Sequence, residues 1–325
     1  MLMKTSNILS LLSAALLTGA LLLFAGCEKE NVNKTNSTPQ EQGGGDALPV
    51  EVFVSTEPQS TNVLIEGLTG LGCKFCPEGH KLCDELAEEY PGKLFVINVH
   101  TGLYAEGKNP DYTTDEGYTM LRTLGAEGFP TAYVNRYAWK SGGSANSTYF
   151  VGRGVFRSCA EQLMNKDLPA MANIAAKATL NKSTKKLKIT TQVCFTRTPD
   201  HDTATSYVLN VALVQNNIKG PQQGAESGYP ALWDGTNYTH NHMLRAYING
   251  LKGEIIDYKG TGKEHVIQKV FSYPIPAKLG KGNIPVVPED LEVICYVSRK
   301  GTAAGNPEEY FPIEIINVCK CEITE

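Results

Sequence analysis

The chain has little excess charge of either sign: 30 Lys and Arg stand against 34 Asp and Glu, a net charge of −4 over 325 residues. It has no basic stripe, which argues against a nucleic-acid partner, because such surfaces need clustered Lys and Arg. It has no second C-x-x-C to complete a four-ligand zinc site with Cys73 and Cys76, even if His80 is counted. No histidine follows the second cysteine, as haem attachment would require; Pro77 stands there. There is no internal repeat, and no long helical pattern in the second half. What remains is an exported-looking chain, rich in glycine and tyrosine, long enough for two domains of ordinary size.

The first residues read as an address. Lys4 supplies a positive start, Ile8 to Phe24 is apolar, and the run ends in Leu23-Phe24-Ala25-Gly26-Cys27. That ending resembles a bacterial lipobox, so residues 1–27 are expected to be a lipoprotein signal with Cys27 as the lipid-bearing residue. An uncleaved membrane anchor is the alternative. Residues 28–49 form an expected tether, rich in Asn, Thr, Ser, Gln and Gly with nothing to pack. Leu48 to Thr56 is expected to add a strand before the first domain.

The chemistry-bearing stretch is Gly70-Leu71-Gly72-Cys73-Lys74-Phe75-Cys76-Pro77. An apolar run of strand length, Asn62 to Leu68, precedes it. Leu82, Cys83, Leu86 and Tyr90 follow at helical spacing. Unpaired N–H groups and the dipole at a helix start favour thiolate over thiol. Cys73 is therefore the expected attacking sulfur, Lys74 a helpful positive neighbour, and Cys76 the resolving sulfur. A purely structural disulfide fits the same two residues.

Further on, Gly128-Phe129-Pro130-Thr131 leads into a strand-like Ala132-Tyr133-Val134-Asn135. With these motifs residues 62–165 resemble a thioredoxin-like domain. The resemblance implies a cis Pro130 that docks a substrate backbone beside Cys73, and a buried acid beneath the cysteines, for which Glu66 is the candidate. An exposed strand glutamate and a trans proline are the plainer alternatives. The chain departs from the pattern at Gly72, where an aromatic is common, in its Lys-Phe pair between the cysteines, and in an insertion over Thr101 to Tyr118. Ser147 to Lys166 is expected to be the closing helix, and Asp167-Leu168-Pro169 to break it. Residues 50–168 are accordingly assigned to this α/β domain.

Residues 169–325 are assigned to an all-β, immunoglobulin-like sandwich. Strands are expected at Ala172–Leu180, Lys186–Arg197, Ser206–Val214, Val266–Tyr273, Leu291–Ser298 and Glu309–Val318. His240 and His242 would share a face of an extended segment and are weak metal candidates, with no third ligand apparent. A loop packed with aromatics, or a contact patch made by Tyr229, Trp233 and Tyr238, are the alternatives. Cys194 and Cys295 fall in expected strands and could bridge the sheets. Cys319 and Cys321 face one side and are expected to pair elsewhere than together, while Cys83 and Cys159 read as core residues.

The lipobox, Val63 to Gly70 leading into Cys73 and Cys76, the Gly128-Phe129-Pro130 loop and the His240-Asn241-His242-Met243-Leu244-Arg245 segment together resemble the Omp28-related outer-membrane lipoproteins. The resemblance implies a surface-associated lipoprotein with a thioredoxin-like half and a β-rich half, and adhesion or receptor function. Two functions are therefore expected. One is thiol–disulfide exchange on exported protein thiols or disulfides, without a cofactor, on the periplasmic or cell-surface side of the outer membrane. The other is binding of a surface ligand by a tethered scaffold in which Cys73–Cys76 is a permanent clip.

Overall fold

The computed structural model describes residues 51–325 except 141–146, 167, 200–205 and 304–305. The expected signal, Cys27 and the whole tether lie outside the described residues. Val63–Thr69 (β1) is apolar and β-branched, and every residue in it is buried, as in a strand covered on both faces. Cys76–Glu89 (α1) carries Pro77 in its first turn, where a missing N–H costs nothing, and buries Cys76, His80, Cys83 and Leu86. Leu94–His100 (β2) then runs parallel to β1, from Leu94 opposite Val63 to His100 opposite Thr69. Asp115–Leu124 (α2) starts at Thr114, whose Oγ1 accepts the Gly117 N–H at 3.0 Å. Thr131–Val134 (β3) returns antiparallel to β1, and Phe156–Met164 (α3) follows. Helices α1 and α3 set Cys83, Leu86, Phe156 and Leu163 against Val63, Ile65, Val96 and Val134. On the other face α2 packs Met120 and Leu124 against Leu64, Leu68 and Tyr133.

Two local expectations are corrected. The helix expected from Ser147 begins only at Phe156; Phe150–Gly152 is a strand paired with β3, Val151 opposite Ala132. Gly152 and Gly154 disfavour helix there, and the outer edge of β3 needs partners for its backbone groups. Residues 51–56 form no strand. Val52 is buried and the Val54 N–H donates to Gln192 Oε1 at 3.1 Å, so the segment is held by a side chain rather than by a ladder.

The strands expected after residue 169 are present within a few residues of their expected ends. Ile267–Pro274, Lys186–Phe195, Ala172–Asn181 and Glu322–Thr324 form a four-stranded sheet in that order. Ser206–Gln215, Met243–Tyr247, Leu291–Ala303 and Asn306–Lys320 instead extend the first sheet. The join is at β2: Met243 lies opposite Asn98, and the Asn98 N–H donates to the His242 carbonyl at 2.7 Å. One nine-stranded sheet results, ordered Asn306–Lys320, Leu291–Ala303, Ser206–Gln215, Met243–Tyr247, β2, β1, β3, Phe150–Gly152, with Glu254–Asp257 paired to Ser206–Gln215 at the side. The smaller sheet sets Ala178, Leu180, Leu187 and Ile189 against Val211, Leu213, Val293 and Cys295 of the larger one. The architecture is mixed α/β and predominantly β.

Candidate functional site

Cys73 and Cys76 are joined in a disulfide at the turn between β1 and α1. The turn is closed by the Cys73 N–H donating to Gly70 O at 3.0 Å, and by Gly72 N–H donating to Tyr104 O at 2.9 Å from the inserted loop. The Phe129–Pro130 peptide is cis. Pro130 sits against the first turns of α1, where a Cβ on Gly79 would come within 2.8 Å of the proline Cβ.

The sulfurs are not open. Cys73 is 2% exposed and Cys76 0%. They are covered by a segment from far along the chain, in the excursion between the short paired strands Ile218–Gly220 and Tyr238–His240. Gln222 Nε2 donates to Gly70 O at 3.2 Å and to Cys73 O at 3.0 Å, and the Gln223 N–H donates to Leu71 O at 2.9 Å. Gly224 follows at φ +73°, so close that a Cβ there would lie 2.0 Å from Lys74 O. Only glycine fits such an approach at that dihedral. An attacking role for Cys73 needs an accessible sulfur, and the docked segment removes it.

Glu66 is buried as expected, but on the wrong face for the cysteines. Alternation along β1 puts Val63 and Ile65 under α1 and turns Leu64, Glu66 and Leu68 to the opposite side. There the Glu66 carboxylate takes two bonds from Arg136, Nε to Oε2 at 2.7 Å and Nη2 to Oε1 at 2.6 Å, with both side chains 0% exposed. Tyr247 donates its hydroxyl to Glu66 Oε1 at 3.3 Å, Arg136 Nη2 donates to Tyr296 Oη at 2.8 Å, and Arg136 Nη1 to Pro312 O at 2.9 Å. Burial alone would pull the guanidinium down; the Glu66 carboxylate more than offsets it and holds Arg136 well above its ordinary value. The position on the α1 side is Gly67, where a Cβ would meet Asn98 Oδ1 at 2.9 Å.

His240 and His242 do not converge. His240 points inward, its Nε2–H donating to Pro221 O at 3.2 Å, with its ring 5.3 Å from that of His100 and 5.1 Å from that of Tyr112. His242, at φ +54°, lies between Glu292 Oε2 at 3.5 Å and Asp84 Oδ1 at 3.8 Å. No group of three or more His, Cys, Asp or Glu among the described residues is arranged to hold a metal ion. His80 is committed elsewhere, exchanging hydrogen bonds with Thr69 Oγ1 at 2.8 Å and Tyr238 Oη at 3.0 Å. Tyr238 is therefore buried rather than part of a contact patch. Sequence gave no signal for Gln222, Arg136 or His100, which reach their partners across large separations.

The three buried imidazoles have a measurable consequence. Burial, with His240 and His242 nearby, pushes His80 down to about 3. Burial lowers His240 to about 4, and burial with its two neighbours holds His100 well below its usual value. In the unfolded chain all three titrate near the ordinary value of about 6.5. Between these values the unfolded chain binds more protons, so stability rises with pH and is lost as pH falls from about 6.5 toward 4. Asp84, raised by burial, acts in the opposite sense but is one group against three. The expected slope approaches roughly 1.4 kcal/mol per pH unit for each neutral imidazole. Urea midpoints at pH 7, 6 and 5 check it, and a flat profile there would contradict this assignment.

The remaining thiols correct one pairing. Cys194 lies opposite Asn173 in the small sheet, its sulfur directed to Phe195 O at 3.7 Å, and it does not reach Cys295. Cys295 instead faces Cys319 across the Leu291–Ala303 and Asn306–Lys320 strands. Cys83 and Cys159 are core thiols beneath α1 and α3.

A β-rich α/β body with a covered C-x-x-C disulfide is thus what the residues build. The family model described as outer membrane protein Omp28 matches residues 118–288, more than half of the chain, and the protein belongs to that family. Among solved structures the chain is similar to HBP35 of Porphyromonas gingivalis, with a TM-score of 0.55 and 21% identity over 82% of this chain and 78% of that one. That likeness is one of fold. A protein from Agrobacterium tumefaciens aligns over 81% of this chain and 95% of its own, at a TM-score of 0.43 and 12% identity. No curated protein matches the sequence.

Proposed function

We propose that this family member is a lipid-tethered outer-membrane protein that uses a thioredoxin-like half as a rigid binding scaffold, with Cys73–Cys76 as a permanent clip. The observation that carries the proposal is the burial of both sulfurs beneath Gln222 to Gly224. The thioredoxin-like assignment is supported by the order β2, β1, β3 with α1 as the crossover and by Pro130 beside the C-x-x-C turn. The lipobox ending at Cys27 supports the tether. Next to the covered disulfide, Phe75, Leu103 and Tyr104 are exposed large side chains suited to contacting a partner.

Thiol–disulfide exchange on exported proteins is the second reading. It is favoured by the position of Pro130 against Gly79, and it requires the Gln222 segment to lift. Titrating the purified protein in glutathione buffers separates the two. A clip stays oxidised in the folded state, and Cys76→Ser traps no partner on Cys73. Reduction near about −270 to −120 mV, the span of known exchange proteins, together with trapped mixed disulfides, would replace the scaffold by an enzyme.

A further inference from the structure

The second half of the chain holds a group of sulfurs that the C-x-x-C site does not use. Cys295 lies directly opposite Cys319, and Cys321, just past the end of the same strand, donates its N–H to Val293 O at 2.8 Å. Directly opposed residues of an antiparallel pair hold their Cα atoms about 4.5–5.5 Å apart, within the roughly 4.4–6.8 Å that a disulfide spans. Cys295 and Cys319 face each other across the strand pair, and the two share one cluster with Cys321, Leu187, Ile189 and Val293. The neighbouring Cys319 thiol and burial together hold the Cys295 thiol well above its ordinary value, and burial raises Cys321 in the same direction. Of the six cysteines outside the Cys73–Cys76 bridge that are described, five are buried and Cys319 alone is not. Cys319 lines a surface groove of about 500 Å³ together with His242, Glu292 and Lys320.

We propose that Cys319 is the reactive thiol of this protein and that it is oxidised to a cross-strand disulfide with Cys295 by a disulfide-bearing oxidant. The oxidant is either a protein disulfide of the exporting compartment or a small-molecule disulfide. Cys319 gives its proton to solvent, and the thiolate attacks one sulfur of the oxidant. The oxidant's S–S bond breaks, and its second sulfur leaves and takes up a proton. Cys295, deprotonated in turn, attacks Cys319 Sγ, so that the protein's own S–S bond forms as the mixed disulfide breaks and releases the oxidant's other sulfur as a thiol. Two protein thiols are oxidised and one oxidant disulfide is reduced to two thiols. Cys321 stays reduced. The proposal concerns sulfurs remote in sequence from Cys73–Cys76 and does not depend on whether that bridge exchanges.

The test uses the mature full-length protein isolated without reductant, incubated folded with oxidised glutathione, then denatured, alkylated with N-ethylmaleimide and peptide-mapped. The expected result is four alkylated cysteines, Cys83, Cys159, Cys194 and Cys321, and one cross-linked peptide joining Cys295 to Cys319. Six alkylated cysteines, or a Cys319–Cys321 link, would overturn the proposal. Cys295→Ser is expected to accumulate a stable glutathione adduct on Cys319, and Cys319→Ser to accumulate none on any thiol while folded. An adduct on another cysteine of folded Cys319→Ser would refute the selectivity.

Discussion

Replacing Glu66 with alanine is expected to destabilise the folded protein by about 3–5 kcal/mol, the cost of leaving a buried partner charge uncompensated. Arg136 is the largest fully buried side chain among the described residues. Its guanidinium is held by Glu66, Tyr296 and the Pro312 carbonyl, and its carbon lies 5.3 Å from the Tyr296 ring centroid and 5.6 Å from that of Phe311. These partners come from β1 and from strands beyond residue 240, so the ion pair fastens one part of the large sheet to the other. Glu66→Gln should cost a similar amount, because the charge on Arg136 stays buried while its counter-charge goes. Exchanging both members for apolar residues of similar volume should recover most of the loss, since the pair itself contributes little beyond satisfying its own desolvation. Chemical denaturation of the single and double variants measures this. A loss under about 1 kcal/mol for Glu66→Ala, the range of exposed pairs, would mean that the ion pair is wetter than its geometry indicates.

Gly224→Ala is expected to accelerate reduction of Cys73–Cys76 by a soluble phosphine at least about tenfold, the factor that roughly 1.4 kcal/mol of weakened cover provides. Alanine at φ +73° is strained, and its Cβ would collide with Lys74 O, a backbone atom that cannot swing aside. Gln222→Ala should act in the same direction more mildly, by losing the donors to Gly70 O and Cys73 O. Equal reduction rates in all three proteins would show that Gln222 to Gly224 does not control access to the sulfurs.

Much of this fold can be read before folding. The second-half strands follow alternating or β-branched runs, and Ile267–Pro274, half-buried and exposed by turns, displays period two along its whole length. The α1 helix is legible from Cys83, Leu86 and the acids between them. Two errors came from register and from context. Glu66 is one residue away from the face beneath α1, and a step of one along a strand moves a side chain through the sheet. Phe150–Gly152 reads as helix locally, yet the open edge of β3 recruits it. The cover was illegible for a different reason. Gln222 and Cys73 are about 150 residues apart, and the glycine that permits the approach looks like any other turn glycine until its partner is known.

That separation fixes a sequence of events as the chain is made. The thiols of Cys73 and Cys76 emerge long before the stretch that will seal them, and an oxidant can reach them only in the interval. A chain that matured reduced would lock two thiols beneath its own backbone. Timing of oxidation against completion of the carboxyl half, rather than the final redox balance of the surroundings, then decides which form the folded protein carries.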